Sequence, residues 1–249
     1  MLELILSVLE PILYFFEFFG YFFVIAASIF ALIASASVNA TFQKYAKKTT
    51  KSGLTGAQAA QRVLTANGIH DVRIAQTKGR LTDHFNPKDK TIYLSEAVYD
   101  SPSSAAVGVA AHEAGHAVQH AVGYLPLRIR SAIVPVTNIG SRLAMPLVFF
   151  GLILAISFQF PFGYEIALAG VLCYSLCVVF QLITLPTEFN ASRRAMTALE
   201  AGQILNEEEL KGAKKTLTAA AMTYVAALAV SLTQFLRLLA IVMGGRRRR

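Results

Sequence analysis

The sequence has little charge for its length. Only 15% of its 249 residues are Asp, Glu, Lys or Arg, whereas 55% are hydrophobic. This composition excludes an ordinary water-soluble domain and indicates a membrane protein with several spans. The charges are also unequal, with 23 basic and 15 acidic residues and a net charge of +8. No nucleic-acid motif accompanies the basic excess, so we expect the partner to be a lipid bilayer with anionic headgroups, not a nucleic acid.

Cysteine is scarce as well. The two cysteines, Cys173 and Cys177, lie four residues apart in an apolar segment. This is not the C-x-x-C spacing of a metal pair, and it is typical of small packing residues in a membrane helix. The cysteines therefore give no sign of a metal site.

Four apolar segments are long enough to cross a bilayer as helices: residues 18–38, 143–160, 166–185 and 219–243. Before the first of them, Glu3, Glu10 and Glu17 recur every seven residues and Pro11 interrupts the apolar run. This pattern favours a short interfacial helix with its acids turned to water. We predict a multi-span α-helical membrane protein with four transmembrane helices.

The residues between the first and second spans have soluble character. Thr55 is a good cap for a helix over 56–66, which Asn67-Gly68 ends. Short strands are expected at 72–75, 81–85 and 91–94, followed by a helix from Ser101-Pro102 to near Gly123. The fold class is therefore a multi-span helical membrane protein with a small α+β region.

The two middle spans predict a hairpin that returns the chain to the side it left. Pro186 is expected to break the second of these helices, and Asn206 to cap the last helix of the chain. We divide the chain accordingly into five segments: an N-terminal interfacial segment with the first span, the α+β region, a transmembrane hairpin, a polar helical segment, and a fourth span with a basic tail. Their bounds are 1–43, 44–142, 143–185, 186–218 and 219–249.

The strongest motif is His112-Glu113-Ala114-Gly115-His116, an H-E-x-x-H sequence. On a helix, residues four apart share one face, so His112 and His116 can bind one zinc ion. Glu113 is then placed to act as general base on a water held by the metal. Two histidines do not complete a catalytic zinc site, which usually has three protein ligands.

Glu188 is the best candidate for the third ligand. It follows the predicted hairpin, on the same side as the motif, and would complete a His, His, Glu site. The alternative is an acid that stabilises the N-terminus of a helix. His120 continues the stripe of His112 and His116, but eight helical residues rise about 12 Å, too far to share one ion. An intramembrane protease would use an Asp from a later span, and no Asp follows Asp100.

Other polar residues are candidates for supporting roles. Ser192 lies one turn after Glu188 and can hydrogen-bond a ligand. An amide hydrolase also needs a donor for the oxyanion, and His84, His120 and Tyr224 are the candidates. His84 lies in a predicted strand beside which an extended peptide could bind by strand addition.

Pieces along most of the chain resemble the membrane-bound neutral zinc metallopeptidases of the YugP type, which are distantly similar to HtpX-like membrane peptidases. The matching pieces are Ser52-Gly53-Leu54-Thr55-Gly56-Ala57, Leu81-Thr82-Asp83-His84-Phe85, Leu94-Ser95-Glu96, Ala110-Ala111 with the motif and Ala117, Leu185-Pro186-Thr187-Glu188-Phe189 with Ala191-Ser192, and Thr223-Tyr224-Val225-Ala226-Ala227. The resemblance implies that the α+β region is the catalytic region of a gluzincin-like zinc peptidase, with His112, His116 and Glu188 as ligands and Glu113 as base. One departure stands out: HtpX-like peptidases have an Asp where this chain has Ser192.

These observations predict a membrane-embedded, zinc-dependent endopeptidase that cleaves a peptide or a membrane-protein substrate at the membrane surface. The alternatives are an inactive zinc-binding scaffold or partner-binding protein, and a channel or transporter. Glu17 and Arg237 are the ionisable residues near or within the apolar spans, and both lie toward span ends, which leaves little for a transport pathway. Basic residues flank the spans mainly on the catalytic side, so the positive-inside rule predicts that this side is cytoplasmic, although the four terminal arginines oppose it.

Overall fold

The computed structural model describes the backbone of residues 2–247 and the side chains of residues 11–247. Within this range the chain forms seven α-helices and three strands in the order α1 (Leu2–Ala46), α2 (Gly56–Ala66), β1 (Arg73–Thr77), β2 (His84–Asn86), β3 (Thr91–Ser95), α3 (Glu96–Tyr99), α4 (Ser104–Ala121), α5 (Leu125–Ile156), α6 (Gly163–Ala201) and α7 (Glu207–Arg247).

Four of these helices, α1, α5, α6 and α7, are long and apolar enough to cross a membrane. The predicted fold class, four such helices with a small α+β region, is confirmed. Helices α1, α6 and α7 extend beyond both ends of the apolar segments that predict them, because the polar sequence on either side continues the same backbone hydrogen bonding. Helix α5 begins before its segment but ends at Ile156, short of the predicted end at 160. The short helix α3 has no signal in the sequence pattern.

Two predicted helix breaks are wrong. Pro11 lies inside α1 and Pro186 inside α6, and both helices continue through them. A proline removes one backbone hydrogen bond, but unwinding an apolar helix away from water would leave several more backbone groups unpaired. The predicted orientation of Glu3 and Glu10 falls outside the described side chains.

The chain divides into two compact units. We call residues 33–129 and 184–223 the α/β unit, and residues 1–32, 130–183 and 224–249 the helical unit. The α/β unit contains the sheet, α2, α3 and α4, and it also includes residues from all four long helices. Its core is apolar and includes Val63, Leu64, Ile92, Leu94 and Leu199.

The sheet has the order β1-β3-β2, with β1 parallel and β2 antiparallel to the central strand β3. The three predicted strands are confirmed with shifted ends. The second begins at His84 because the chain is still turning at Leu81, whose φ is 57°. The predicted α2 is also confirmed: Thr55 accepts from the backbone of Gln58 and the Gln58 side chain accepts from the backbone of Thr55, a complete capping box.

Asp83 fixes the start of β2 to the end of β3. Its carboxylate accepts hydrogen bonds from the backbone N–H of Ser95 at 2.7 Å and from the Ser95 hydroxyl at 3.0 Å. Burial raises the pKa of Asp83, and the two bonds from Ser95 only partly offset that rise. The contact holds the β2–β3 hairpin and positions the outer strand β2.

The helical unit is built on a close approach of α5 and α6. Gly170 of α6 meets the backbone of α5, where an added Cβ would lie 2.6 Å from the nitrogen of Val148 and 2.7 Å from the oxygen of Ala144. Small residues at such contacts let two apolar helices pack backbone to backbone. The contact therefore has no room for a side chain.

In the same unit, the guanidinium of Arg237 lies 3.6 Å from the centre of the Tyr21 ring. This is a cation–π contact between α7 and α1. Gly20 allows the approach, because an added Cβ would lie 3.0 Å from Cγ of Arg237. The arginine thus contributes to helix packing.

The α5–α6 contact predicts the effect of a substitution. Gly170→Leu should lower the thermal midpoint of the detergent-solubilised protein, because overpacking typically costs about 1–3 kcal/mol and the neighbours here are backbone atoms. Ala169→Leu is the matched control, since Ala169 is exposed on the same helix. Equal melting of both variants and the wild type would contradict this packing.

Candidate active site

The motif helix α4 begins at Ser104, with Ser103 as its cap. The Ser103 hydroxyl accepts a hydrogen bond from the backbone of Ala106 at 3.3 Å. The predicted start at Ser101-Pro102 is two residues early, because Pro102 is engaged elsewhere: its carbonyl accepts from the backbone of Thr50 at 2.9 Å. The H-E-x-x-H sequence lies in the middle of this helix, as predicted.

The glycine inside the motif lets α4 approach α6. A Cβ added to Gly115 would lie 2.6 Å from the carbonyl oxygen of Ala191. No side chain fits at that distance, so the motif helix can come this close to α6 only with glycine here. Glu188 is one turn before Ala191 on the same face of α6, and this approach brings its carboxylate to the histidines.

His112, His116 and Glu188 meet at one point. Oε2 of Glu188 lies 3.3 Å from Nε2 of His112 and 3.5 Å from Nε2 of His116. All three residues offer a ligand atom within 4.8 Å of the others. Two imidazole nitrogens and one carboxylate oxygen are a donor set that zinc prefers, so the residues fit a metal ion. Among the described residues, His112, His116 and Glu188 are the three potential metal ligands that come together at this point.

The alternative role of Glu188, an acid at a helix N-terminus, does not agree with the fold. Glu188 is in the interior of α6, and its side chain is only 3% exposed. A buried carboxylate is costly unless it is paired, and its partners here are the two imidazoles. The buried position of Glu188 therefore favours the role of a metal ligand over that of an acid at a helix N-terminus.

The surroundings of His116 raise its pKa. Burial of the ring lowers the pKa of His116, but the hydrogen bond with Glu188 and the negative charges of Glu113 and Glu188 outweigh burial and raise it overall. Glu113 is itself buried, with 8% of its surface exposed. It is not a member of the three-residue group.

The other nitrogen of each histidine also has a partner. Nδ1 of His112 lies 3.1 Å from the hydroxyl of Ser192, as the predicted supporting role requires. Nδ1 of His116 lies 3.0 Å from Oε1 of Gln119. Such contacts orient imidazole ligands and fix which nitrogen faces the metal.

The remaining candidates are His84, His120 and Tyr224. His84, at the start of β2, is exposed and stacks on Tyr93 with ring centres 5.0 Å apart. His120, in the last turn of α4, is exposed and lies 5.8 Å from the ring of Phe85. Tyr224 belongs to the part of α7 assigned to the helical unit. His120 is not a member of the group, as the helical rise predicts.

Four residues contribute to the site without having been predicted to do so from the sequence: Gly115, Gln119, Asn190 and Arg194. Gln119 is fully buried although it is polar, and its amide donates to the carbonyl of Thr187 and to the side chain of Asn190. Arg194 donates to the same Asn190 oxygen. Gln119 is three residues after His116 and therefore lies on the same face of the helix. This spacing is the sequence feature that could have predicted a contact between them.

An open groove adjoins the site within the α/β unit. It runs between α6 and α7, with a volume of about 680 Å³, and Ser192 is part of its wall. Its other walls combine apolar residues, among them Phe189, Met196 and Leu217, with charged groups of both signs. The groove therefore provides an amphipathic surface close to His112.

Comparisons with known proteins agree with this geometry. The family model described as "Putative neutral zinc metallopeptidase" matches residues 20–243. The chain is 44% identical over 225 residues to "Putative membrane protease YugP" of Bacillus subtilis (strain 168), covering 90% of this chain and 97% of that protein. No solved structure matches the chain. With its family model covering nearly the whole chain, including His112, His116 and Glu188, the protein belongs to the neutral zinc metallopeptidase family.

Proposed function

We propose that the protein is a membrane-embedded, zinc-dependent endopeptidase that hydrolyses peptide bonds at the membrane surface. The observation that carries the proposal is the meeting of His112, His116 and Glu188, with Glu113 buried on the helix that carries the two histidines. A structural zinc site would be closed by a fourth protein ligand, whereas the three-member group leaves a position for a water. This feature favours catalysis over a scaffold role.

The three residues of the group would hold the zinc ion. When bound, zinc supplies a Lewis acid that polarises the scissile carbonyl and lowers the pKa of a bound water. The carboxylate of Glu113 takes a proton from the attacking water and passes it to the nitrogen of the leaving amine as the C–N bond breaks. Ser192 and Gln119 hold the imidazoles of the two histidines in orientation.

The developing oxyanion needs a hydrogen-bond donor of the protein besides the metal. His84, His120 and Tyr224 are the proposed donors, and a donor must come within hydrogen-bond reach of the oxyanion when substrate binds. His120 is on the motif helix itself, which fixes its distance along the axis from His116 at one turn. His84 is on the outer strand of the sheet.

Strand β2 is the proposed site for the substrate backbone. It is an outer strand of the sheet, and Phe85 of this strand packs on His120 at the end of the motif helix. An extended peptide can add to such a strand through main-chain hydrogen bonds, which bind without regard to sequence. The amphipathic groove between α6 and α7 would accept apolar side chains of the same substrate.

The catalytic side is proposed to be cytoplasmic. Basic residues border the spans on the side of the motif, among them Lys44, Lys47, Lys48, Arg128 and Lys211. Such a concentration near span ends marks the cytoplasmic face by the positive-inside rule. The four arginines at the end of the chain would then lie on the other side, and the larger number of flanking charges decides the orientation.

The ligand assignment predicts a pattern of metal contents. The purified wild type should bind about one zinc ion per chain, because a catalytic site holds one metal on three protein ligands. His112→Ala, His116→Ala and Glu188→Ala should each lose most of it, as measured by metal analysis after dialysis. His120→Ala is the matched control on the same helix and should retain zinc. Retention of zinc in Glu188→Ala would refute its role as ligand.

The role of Glu113 predicts a separation of binding from catalysis. Glu113→Gln should keep its zinc but lose cleavage of casein or of an unfolded membrane protein by at least about 100-fold, the usual contribution of a general base. Activity is measured on the zinc-loaded, detergent-purified protein. Glu96→Gln, a carboxylate on the short helix α3, serves as control and should cleave normally. A fully active Glu113→Gln, or a wild type that binds zinc yet cleaves nothing, would favour the scaffold alternative.

A further inference from the structure

Gln119 is a fully buried polar side chain that contacts both His116 and helix α6. None of its surface is exposed. Its amide nitrogen donates to the carbonyl oxygen of Thr187 at 2.8 Å and to Oδ1 of Asn190 at 2.9 Å. Its amide oxygen lies 3.0 Å from Nδ1 of His116. Each polar atom of the carboxamide therefore has a defined partner within the α/β unit.

Only one orientation of this amide is compatible with its neighbours. A backbone carbonyl accepts hydrogen bonds and never donates them, so the group facing Thr187 must be the NH₂ of Gln119. If the amide were turned over, its oxygen would face the carbonyl of Thr187 with no hydrogen between them. The oxygen of Gln119 must therefore face His116.

Arg194 supports the same orientation of the Gln119 amide through its hydrogen bond to Asn190. Its Nε–H donates to Oδ1 of Asn190 at 2.8 Å. A guanidinium has donors only, so it fixes Oδ1 of Asn190 as an acceptor, and that acceptor requires a donor from Gln119. The direction of hydrogen bonding in the network is thus set by two groups that cannot reverse, the Thr187 carbonyl and the Arg194 guanidinium.

The consequence concerns the tautomer of His116. Because the oxygen of Gln119 is an acceptor, Nδ1 of His116 must carry the proton and donate it. In a neutral imidazole the other nitrogen, Nε2, then has a free lone pair. This is the nitrogen that lies 3.5 Å from Oε2 of Glu188, within the proposed metal group.

We propose that Gln119, oriented by Thr187, Asn190 and Arg194, is a positioning residue that selects the Nδ1–H tautomer of His116 and so presets Nε2 as a metal ligand. The proposal rests on the zinc site of the proposed function. It also assigns Gln119 a second effect: its bonds to Thr187 and Asn190 tie the motif helix to the segment of α6 on either side of Glu188.

The two histidines differ in this respect. Nδ1 of His112 faces the hydroxyl of Ser192, and a hydroxyl can donate or accept, so this contact adapts to either tautomer. The carboxamide of Gln119 is held in one direction and does not adapt. Tautomer selection should accordingly depend on Gln119 at His116, with Ser192 orienting the His112 ring.

The test uses full-length protein in detergent and two measurements other than activity. Zinc affinity is determined by competition with a chromophoric chelator, and the ring nitrogens of His116 are observed by ¹⁵N NMR in the zinc-loaded protein. The main variant is Gln119→Met, which keeps an unbranched side chain of similar length. Gln61→Met is the matched control, because Gln61 is exposed on α2, where its amide donates to the hydroxyl of Thr65.

A second pair of variants tests the direction of the network without changing Gln119. Asn190→Asp keeps an acceptor for both Gln119 and Arg194, whereas Asn190→Leu removes it. This pair decides the matter should Gln119→Met fail to give folded protein, as judged by circular dichroism and gel filtration. A role in folding alone would affect the thermal midpoint and leave the ¹⁵N signals of His116 unchanged.

Gln119→Met is expected to weaken zinc binding about 10- to 100-fold, as loss of a group supporting a ligand usually does, and to alter the Nδ1–H signal of His116. Asn190→Asp should match the wild type, and Asn190→Leu should lie between the wild type and Gln119→Met. Unchanged affinity and unchanged His116 signals in Gln119→Met, or equal behaviour of the two Asn190 variants, would overturn the proposal. A wild type without zinc affinity would instead refute the proposed function itself, so the two failures are distinguishable.

Discussion

A buried carboxylate that faces two imidazoles is the constraint on which the α/β unit depends. Glu188 is almost fully enclosed, and an enclosed carboxylate without partners would cost several kcal/mol. The two histidines of α4 are its partners, and they reach it only because α4 and α6 approach closely at Gly115. Ser192 and Gln119 then occupy the outward nitrogens of the same imidazoles. Helix packing and site chemistry are therefore a single arrangement.

The features that sequence predicted well are those determined by neighbouring residues. The capping box at Thr55 and Gln58 satisfies backbone donors within one turn, so it forms wherever that helix forms. The cap at Asn206 is similar: its side chain accepts from the backbone of Glu208 and Glu209. The helical spacing of His112 and His116 likewise follows from local geometry. The four apolar segments are long enough to predict spans by composition alone.

The features that sequence did not predict depend on distant partners or on the environment of the helix. Pro186 signals a break in water, but α6 continues through it, and the same holds for Pro11 in α1. Gln119 offered a weak signal, since the partners that give it meaning are 68 and 71 residues away in the chain. The close contact at Gly115 involves a carbonyl on another helix. Periodicity and capping rules contain no information on such pairs.

The continuity of α6 has a consequence for how the site tolerates change over evolutionary time. Glu188 shares one face of this helix with Ala191, Ala195 and Leu199, which are fully buried in the core of the α/β unit. The packing of these buried residues fixes the orientation of α6 about its axis, and with it the direction in which the Glu188 side chain points. One residue inserted between Glu188 and Ala191 would turn Glu188 by about 100° and shift it by about 1.5 Å relative to the buried residues. The spacing along α6 is thus as much a part of the site as the identity of its residues, and length variation belongs in the connections between helices.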